Sequence, residues 1–171
     1  METLELTGEL ATAYLELGRN GPAESLQRDT VERLRRVAGP ESPDTAGALS
    51  LLGLNLLKQK RYSDAEPVLR ECLKIREEKL PDSWVRFNAM SMLGEALLGQ
   101  KKYAEAEPLL LDGYEGMKLR QAKIPPFATI RLPMAIERLV KLCEATHRPE
   151  TAKKWRKKLP REIAPAPRPV P

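Results

Sequence analysis

Along most of the chain apolar residues recur at spacings of three and four, the period of helices that bury one face. Leu49, Leu52, Leu56 and Gln59 show it on one stretch. The pattern predicts helices near 3–18, 22–38, 43–59, 63–79, 84–100, 104–122, 130–146 and 149–159. Start signals agree with these bounds. Ser42-Pro43-Asp44 supplies an N-cap, a proline at the first helical position and an acid in the first turn. Ser83 and Thr129 hold the same cap position further on. Ser63-Asp64-Ala65-Glu66 reads as a capping box. Pro67 and Pro108 are expected in first turns, where few backbone donors are committed.

The helices come in pairs, and the pairs repeat. Leu52-Gly53 through Lys60-Arg61-Tyr62 to Ala65-Glu66-Pro67 aligns with Leu93-Gly94 through Lys101-Lys102-Tyr103 to Ala106-Glu107-Pro108, at an offset of 41 without a gap. An offset of 42 carries Ala23-Glu24 onto Ala65-Glu66, and one of 46 carries Ala106 onto Ala152. The added residues of the last offset fall around Ile124-Pro125-Pro126, a natural loop. Small residues mark where paired helices approach: Ala11, Gly53 and Gly94 on first helices, and Ala23, Ala65, Ala106 and Ala152 on second helices. No hairpin of this size buries enough apolar area alone, so the copies must stack. The fold class is all-α, an α-solenoid of about four helical hairpins. The array spans 1–159, with repeats at about 3–39, 43–80, 84–123 and 130–159. A proline-rich tail at 160–171, expected to be disordered, follows.

Charge adds an asymmetry. The net charge of +5 divides into 15 Lys+Arg against 20 Asp+Glu before residue 118, and 14 against 4 from there on. A basic end invites an acidic partner, but the polar outer face that a terminal repeat needs for solubility is the preferred reading, with anion binding second. The two cysteines, Cys72 and Cys143, fall on helical apolar positions and read as small buried hydrophobes. With His147 as the lone histidine, a structural metal site lacks ligands. No apolar run is long enough for a membrane span, and the acidic Met1-Glu2-Thr3-Leu4-Glu5 does not suit a signal peptide. A soluble, cytoplasmic protein is expected.

The spacing of Leu52, Gly53, Leu56, Ala65 and Leu69 resembles the tetratricopeptide repeat (TPR) signature. Ser42-Pro43-Asp44-Thr45-Ala46, Ala65-Glu66-Pro67-Val68-Leu69 and the longer period resemble its kinesin-light-chain type. Ala104-Glu105-Ala106-Glu107-Pro108-Leu109-Leu110, Gly113-Tyr114-Glu115-Gly116-Met117 and Ala122-Lys123-Ile124-Pro125-Pro126 resemble the C-terminal TPR region of planctomycete-type bacterial serine/threonine kinases. The resemblance runs from about Pro43 to Leu159. It fades in copy one, where Gln27 and Thr30 replace Leu69 and Cys72. It implies a right-handed superhelix whose concave wall, built by first helices, binds a protein or peptide, and a regulatory or scaffolding role in a bacterial signalling protein.

Catalytic signatures do not accompany it. The chain has no phosphate-binding glycine loop, no kinase catalytic loop, no His-Glu-x-x-His and no nucleophile elbow. Cys143 and His147 stand four apart, but His147 is expected to end its helix. The carboxylate pairs Glu77-Glu78 and Glu105/Glu107 read as solvated faces, and Trp84 and Trp155 as packing at repeat junctions. The expectation is a non-enzyme without cofactor or metal. By the resemblance, groove positions are Glu5, Glu9, Thr12 and Glu16 in copy one, and Gly47, Ser50, Leu51, Leu54 and Lys58 in copy two. They are Asn88, Ser91, Met92, Glu95 and Leu98 in copy three, and Met134, Glu137, Arg138 and Lys141 in copy four. Residues that grip a terminal carboxylate in related chaperone-binding arrays are missing. Leu51, Leu54, Met92 and Leu98 are expected to form an apolar patch for an amphipathic helix, unless neighbouring helices already cover them. The alternative is a nucleic-acid or anionic-surface binder acting through Lys153, Lys154, Lys157 and Lys158.

Overall fold

The computed structural model describes residues 10, 11, 13, 14 and 17–159. Its helices are α1 (Asn20–Val37), α2 (Pro43–Lys58), α3 (Tyr62–Lys79), α4 (Trp84–Gly99), α5 (Tyr103–Leu119), α6 (Arg131–Ala145) and α7 (Pro149–Arg156). Leu10, Ala11, Ala13 and Tyr14 are helical as well. The described residues contain no strand, and no helix among them is long and apolar enough to cross a membrane. Each helix packs on its neighbours in sequence, so the hairpins α2–α3, α4–α5 and α6–α7 stack in order. The architecture is an α-solenoid. The tail at 160–171 and groove positions Glu5, Glu9, Thr12 and Glu16 lie outside the described residues.

Two local devices repeat with the sequence. First helices end in left-handed residues at equivalent places, Gly18, Lys60, Lys101 and His147, with φ of 70°, 59°, 62° and 55°. In each later copy the following amide closes a six-residue turn: Arg61 N to Leu56 O at 3.0 Å, Lys102 N to Leu97 O at 2.9 Å, and Arg148 N to Cys143 O at 2.7 Å. This is the Schellman arrangement. His147 therefore terminates its helix as expected. Both thiols are buried, and burial pushes their pKa values up, away from a reactive thiolate.

The second device is a ladder of charges between repeats. The glutamate after each conserved-spacing alanine meets the basic residue that opens the next second helix. Glu24 takes Arg61 at 2.6 Å, Glu66 takes Lys102 at 2.8 Å, and Glu107 takes Arg148 at 2.6 Å. Gln59 and Gln100 add amide donors to Glu24 and Glu66 at 3.1 and 2.7 Å. This corrects the expected capping box. Glu66 does not fold back on Ser63; Arg61 is the N-cap residue of α3, and no side chain caps that helix. Ser42 caps α2 as expected, accepting from Thr45 N at 3.1 Å. Ser83 holds the cap position of α4 without a cap bond. Thr129 caps nothing, because its hydroxyl donates to Pro126 O at 2.9 Å and α6 starts after Ile130. Pro67 and Pro108 sit deeper than expected, inside helices that begin at Tyr62 and Tyr103.

Close approach is enforced by small residues. A Cβ on Gly53 would lie 2.8 Å from Leu69 Cγ, and one on Gly94 2.7 Å from Leu110 Cγ. Gly113 meets backbone instead: a Cβ there would stand 2.8 Å from Ser91 N and 2.9 Å from Phe87 O. In copy one, Gln27 in the place of Leu69 is buried and accepts from Asn55 Nδ2 at 2.9 Å. The departure from the repeat pattern is a buried polar pair rather than a loosened helix.

Two substitutions separate these roles. Gly113→Ala should cost about 1–3 kcal/mol, because backbone cannot rotate away as a leucine tip can. Gly47→Ala, whose Cβ meets nothing within 4 Å, should stabilise by about 0.5–1 kcal/mol through helix propensity. Urea unfolding of both variants measures the difference. The ladder predicts a pH dependence. Hydrogen bonds from Lys102, and from Arg70 and Gln100, outweigh burial and lower Glu66 to about 2. A depressed carboxylate contributes stability above its unfolded value of about 4.3 and loses it as pH falls towards 2. Glu66→Gln should therefore lose stability at pH 7 and converge on the wild type only as pH falls to about 2.

Candidate functional site

The first helices form one wall of the stack. Besides their hairpin partners they touch one another, α2 with α4 and α4 with α6. Among the described residues the successive second helices have no contact of comparable extent. Helices that are closer together on one side give a stack that curves, with the first helices inside. The candidate site is this inner wall.

Crowding on that wall corrects the expected apolar patch. Leu54 is 9% exposed and Met92 only 1%, whereas Leu51 is 45% exposed. Met92 is wedged between first helices: Ser50 Oγ of α2 lies 3.9 Å from its sulfur, and Asn88 Nδ2 donates to it at 3.4 Å. Leu54 and Met92 were expected to face outward because each is adjacent in sequence to a hairpin-core residue. A first helix in mid-array, however, is covered by the preceding second helix, by its own partner and by the next first helix. Leu54 and Met92 belong to the core, and Leu98 packs half-buried against it.

What remains on the wall beside Leu51 and the half-buried Leu98 is polar and charged. Lys58 and Lys141 are exposed, Glu95 is half-buried, and Asn88 is buried. Structure brings Glu95, Arg138 and Lys141 together. Glu95 Oε2 accepts from Arg138 Nε at 2.5 Å, its other oxygen lies 3.8 Å from Lys141 Nζ, and Arg138 Nη1 reaches Ser91 Oγ at 3.1 Å. Leu51 and Lys58 are not joined to this cluster by any hydrogen bond or ion pair among the described residues. Sequence spacing missed Arg131, which lies seven residues before Arg138 on α6, and Arg76 at the end of α3. The seven-residue interval was the signal available for Arg131.

The remaining candidates lie elsewhere. Lys153, Lys154, Lys157 and Lys158 are exposed, with Lys158 Nζ 4.0 Å from the Trp155 ring. Trp155 packs edge-on against Tyr114 with ring centroids 5.0 Å apart, the junction role expected of it. Lys153 occupies the ladder position held by Glu24, Glu66 and Glu107, so the ladder charge reverses at α7. Glu24, Glu66 and Asp82 have lowered pKa values. On Glu24 burial works upward, but the hydrogen bonds of Arg28 and Gln59 and the charges of Arg61 and Arg28 outweigh it. On Asp82 the Arg120 hydrogen bond dominates. A general acid needs the opposite shift. The described residues hold no group of three or more side chains suited to a metal ion.

Residues 2–78 match the sequence model of the tetratricopeptide repeat family. That span includes copy one, which motif spacing alone left weakest. No curated protein matches the sequence. Among solved structures, the chain resembles a Podosopora anserina kinesin-light-chain-type protein with nearly identical TPR-like repeats. The TM-score is 0.72 at 18% identity, over 91% of this chain and 72% of that one. It also resembles BtubC (BKLC) from P. vanneervenii, with a TM-score of 0.71 at 14% identity over 89% and 59% of the two chains. MamA of MSR-1 gives 0.55 at 19% identity, over 90% and 77%. At these identities the likeness is one of fold.

Burial yields a direct test on the wall. Leu54→Asp should destabilise as severely as Leu52→Asp, by several kcal/mol, since both bury a carboxylate without a partner. Leu51→Asp should stay within about 1 kcal/mol of wild type. Thermal unfolding of the three variants reads the order.

Proposed function

We propose that this tetratricopeptide-repeat solenoid is a non-catalytic protein-interaction module that holds a peptide or helix of a partner against the inner wall of α2, α4 and α6. TPR arrays are in general protein–protein interaction modules, and the fold here is of that kind. The observation that carries the reading is the wall's chemistry. Packing consumes Leu54 and Met92 and leaves Leu51, Lys58 and Lys141 exposed and Glu95 half-buried on the first helices. A mixed surface of this kind favours a peptide recognised by hydrogen bonds and charge over a purely apolar helix.

A role as the interaction region of a bacterial signalling kinase rests on the resemblance carried by residues 104–126. The free, buried thiols Cys72 and Cys143 fit work in the reducing cytoplasm. A second reading comes from the ladder: its reversal at Lys153, with Lys154 and Lys157 exposed beside it, suits an anionic surface or nucleic acid.

Peptide display on the immobilised protein tests the choice. Selected peptides should lose at least about tenfold in affinity on Lys141→Glu or Leu51→Asp and keep it on Lys118→Glu, which lies in a separate pocket beside Tyr114. Peptides lost on Lys153→Glu with Lys154→Glu instead, with a steep salt dependence, would favour the second reading.

A further inference from the structure

Two grooves between successive second helices occupy equivalent places in the repeat, and their charges differ. The first lies between α1 and α3 over a floor from α2, and its lining includes Val31, Arg35, Leu49, Leu52 and Glu71. The last lies between α5 and the turn that ends α7, over a floor from α6. It holds a cavity of about 410 Å³ whose lining includes Tyr114, Lys118, Leu132, Pro133, Ile136 and Lys158.

The two linings correspond when counted from the alanines that mark each second helix. Val31 and Tyr114 stand eight residues after Ala23 and Ala106, and Arg35 and Lys118 stand twelve after. Glu71 and Lys158 stand six residues after Ala65 and Ala152. Leu49 and Ile136 stand three residues before Leu52 and Leu139.

The first groove is balanced from within. Arg35 Nη2 donates to both oxygens of Glu71 at 2.8 Å, so an ion pair spans the apolar floor. In the middle groove the same two positions are Glu77 and Asp112, and Glu77 turns to Arg86 of α4 at 3.8 Å. In the last groove both positions are lysines. Lys118 and Lys158 hold their ammonium groups 5.8 and 5.4 Å from the centre of the Tyr114 ring, and Lys158 Nζ lies 4.0 Å from that of Trp155. Tyr114 and Ile136 are buried beneath these exposed lysines. No acidic residue lines the cavity.

Two cations gathered on one aromatic ring repel each other, and the ring quadrupole offsets only part of that cost. A carboxylate entering between them would supply the charge that Glu71 supplies in the first groove. The floor asks for hydrocarbon as well. Leu132, Pro133, Ile136 and the Tyr114 ring present apolar surface that a small hydrophilic anion would leave wet. The cavity volume falls within the range of small-molecule sites, about 300–1,000 Å³.

We propose that the groove between α5 and α7 binds a small apolar carboxylate, alkyl or aryl, with its charge between Lys118 and Lys158 and its hydrocarbon on Leu132, Pro133 and Ile136. The site opens between second helices rather than on the wall of α2, α4 and α6, so it stands independently of the peptide reading above.

NMR titration of the whole chain tests this with octanoate and 4-phenylbutyrate, set against octanol, 4-phenylbutanol and acetate. At least one acid should shift the Ile136 methyl and Trp155 indole signals saturably, with affinity about tenfold or more above its alcohol and above acetate. The tighter of the two acids assigns the body as alkyl or aryl. Lys118→Met and Lys158→Met should each weaken binding about tenfold, while Lys74→Met, on the exposed side of α3, leaves it unchanged. Lys158→Glu restores the charge pattern of the first groove. It should abolish binding of both acids and raise the urea midpoint of unfolding above that of the wild type. Spectra of the ligand-free variants report their fold. Acids that bind no tighter than their alcohols, shifts absent from Ile136 and Trp155, or affinities unchanged in Lys118→Met and Lys158→Met would overturn the proposal.

Discussion

Everything on the inner wall follows from how tightly a first helix is enclosed. α4 is covered by α3 before it, by α5 beside it and by α2 and α6 along the wall. Enclosure of that kind demands small residues where backbones approach, hence Gly94 against Leu110 and Gly113 against the α4 backbone. It also decides which side chains remain for a partner. Apolar residues that point along the wall are buried between first helices, as Met92 is. Only positions directed away from all four neighbours stay available, and in this chain most of those are polar. The chemistry of the groove is thus the remainder of the packing problem.

The charge ladder is the polar counterpart of that packing. Each rung joins a second helix to the turn of the next repeat, with both partners set by the backbone: a glutamate one turn into the helix and a base just after a left-handed residue. Exposed ion pairs of this kind contribute about 0–1 kcal/mol each. Glu24 and Glu66 are better placed, with side chains 13% and 15% exposed and several donors each. At α7 Lys153 reverses the sign, and a helix docked there in the same register would have to present an acid.

The fold was legible because hairpins are local. The offset of 41 between Gly53 and Gly94 and the caps around Ser42 specify helices and turns within one repeat, and those are where structure and sequence agree. What sequence left obscure lies between repeats. Glu66 looked like a capping-box residue because its three-residue spacing from Ser63 is a local pattern, but a lysine 36 residues away holds it. Leu54 and Met92 looked like groove residues because family register assigns faces to a single hairpin and does not count the next first helix. Thr129 was misplaced by the same loop that lengthens the last offset to 46.

The central claim is that partners bind on the wall of first helices. Amide and methyl NMR of the chain, titrated with a display-selected peptide, reads the contact surface directly. The largest shifts are expected at Leu51, Lys58, Glu95 and Lys141, with Lys118 and α7 unmoved. Shifts confined to the Tyr114–Lys118 side or to Lys153, Lys154 and Lys157 would contradict it.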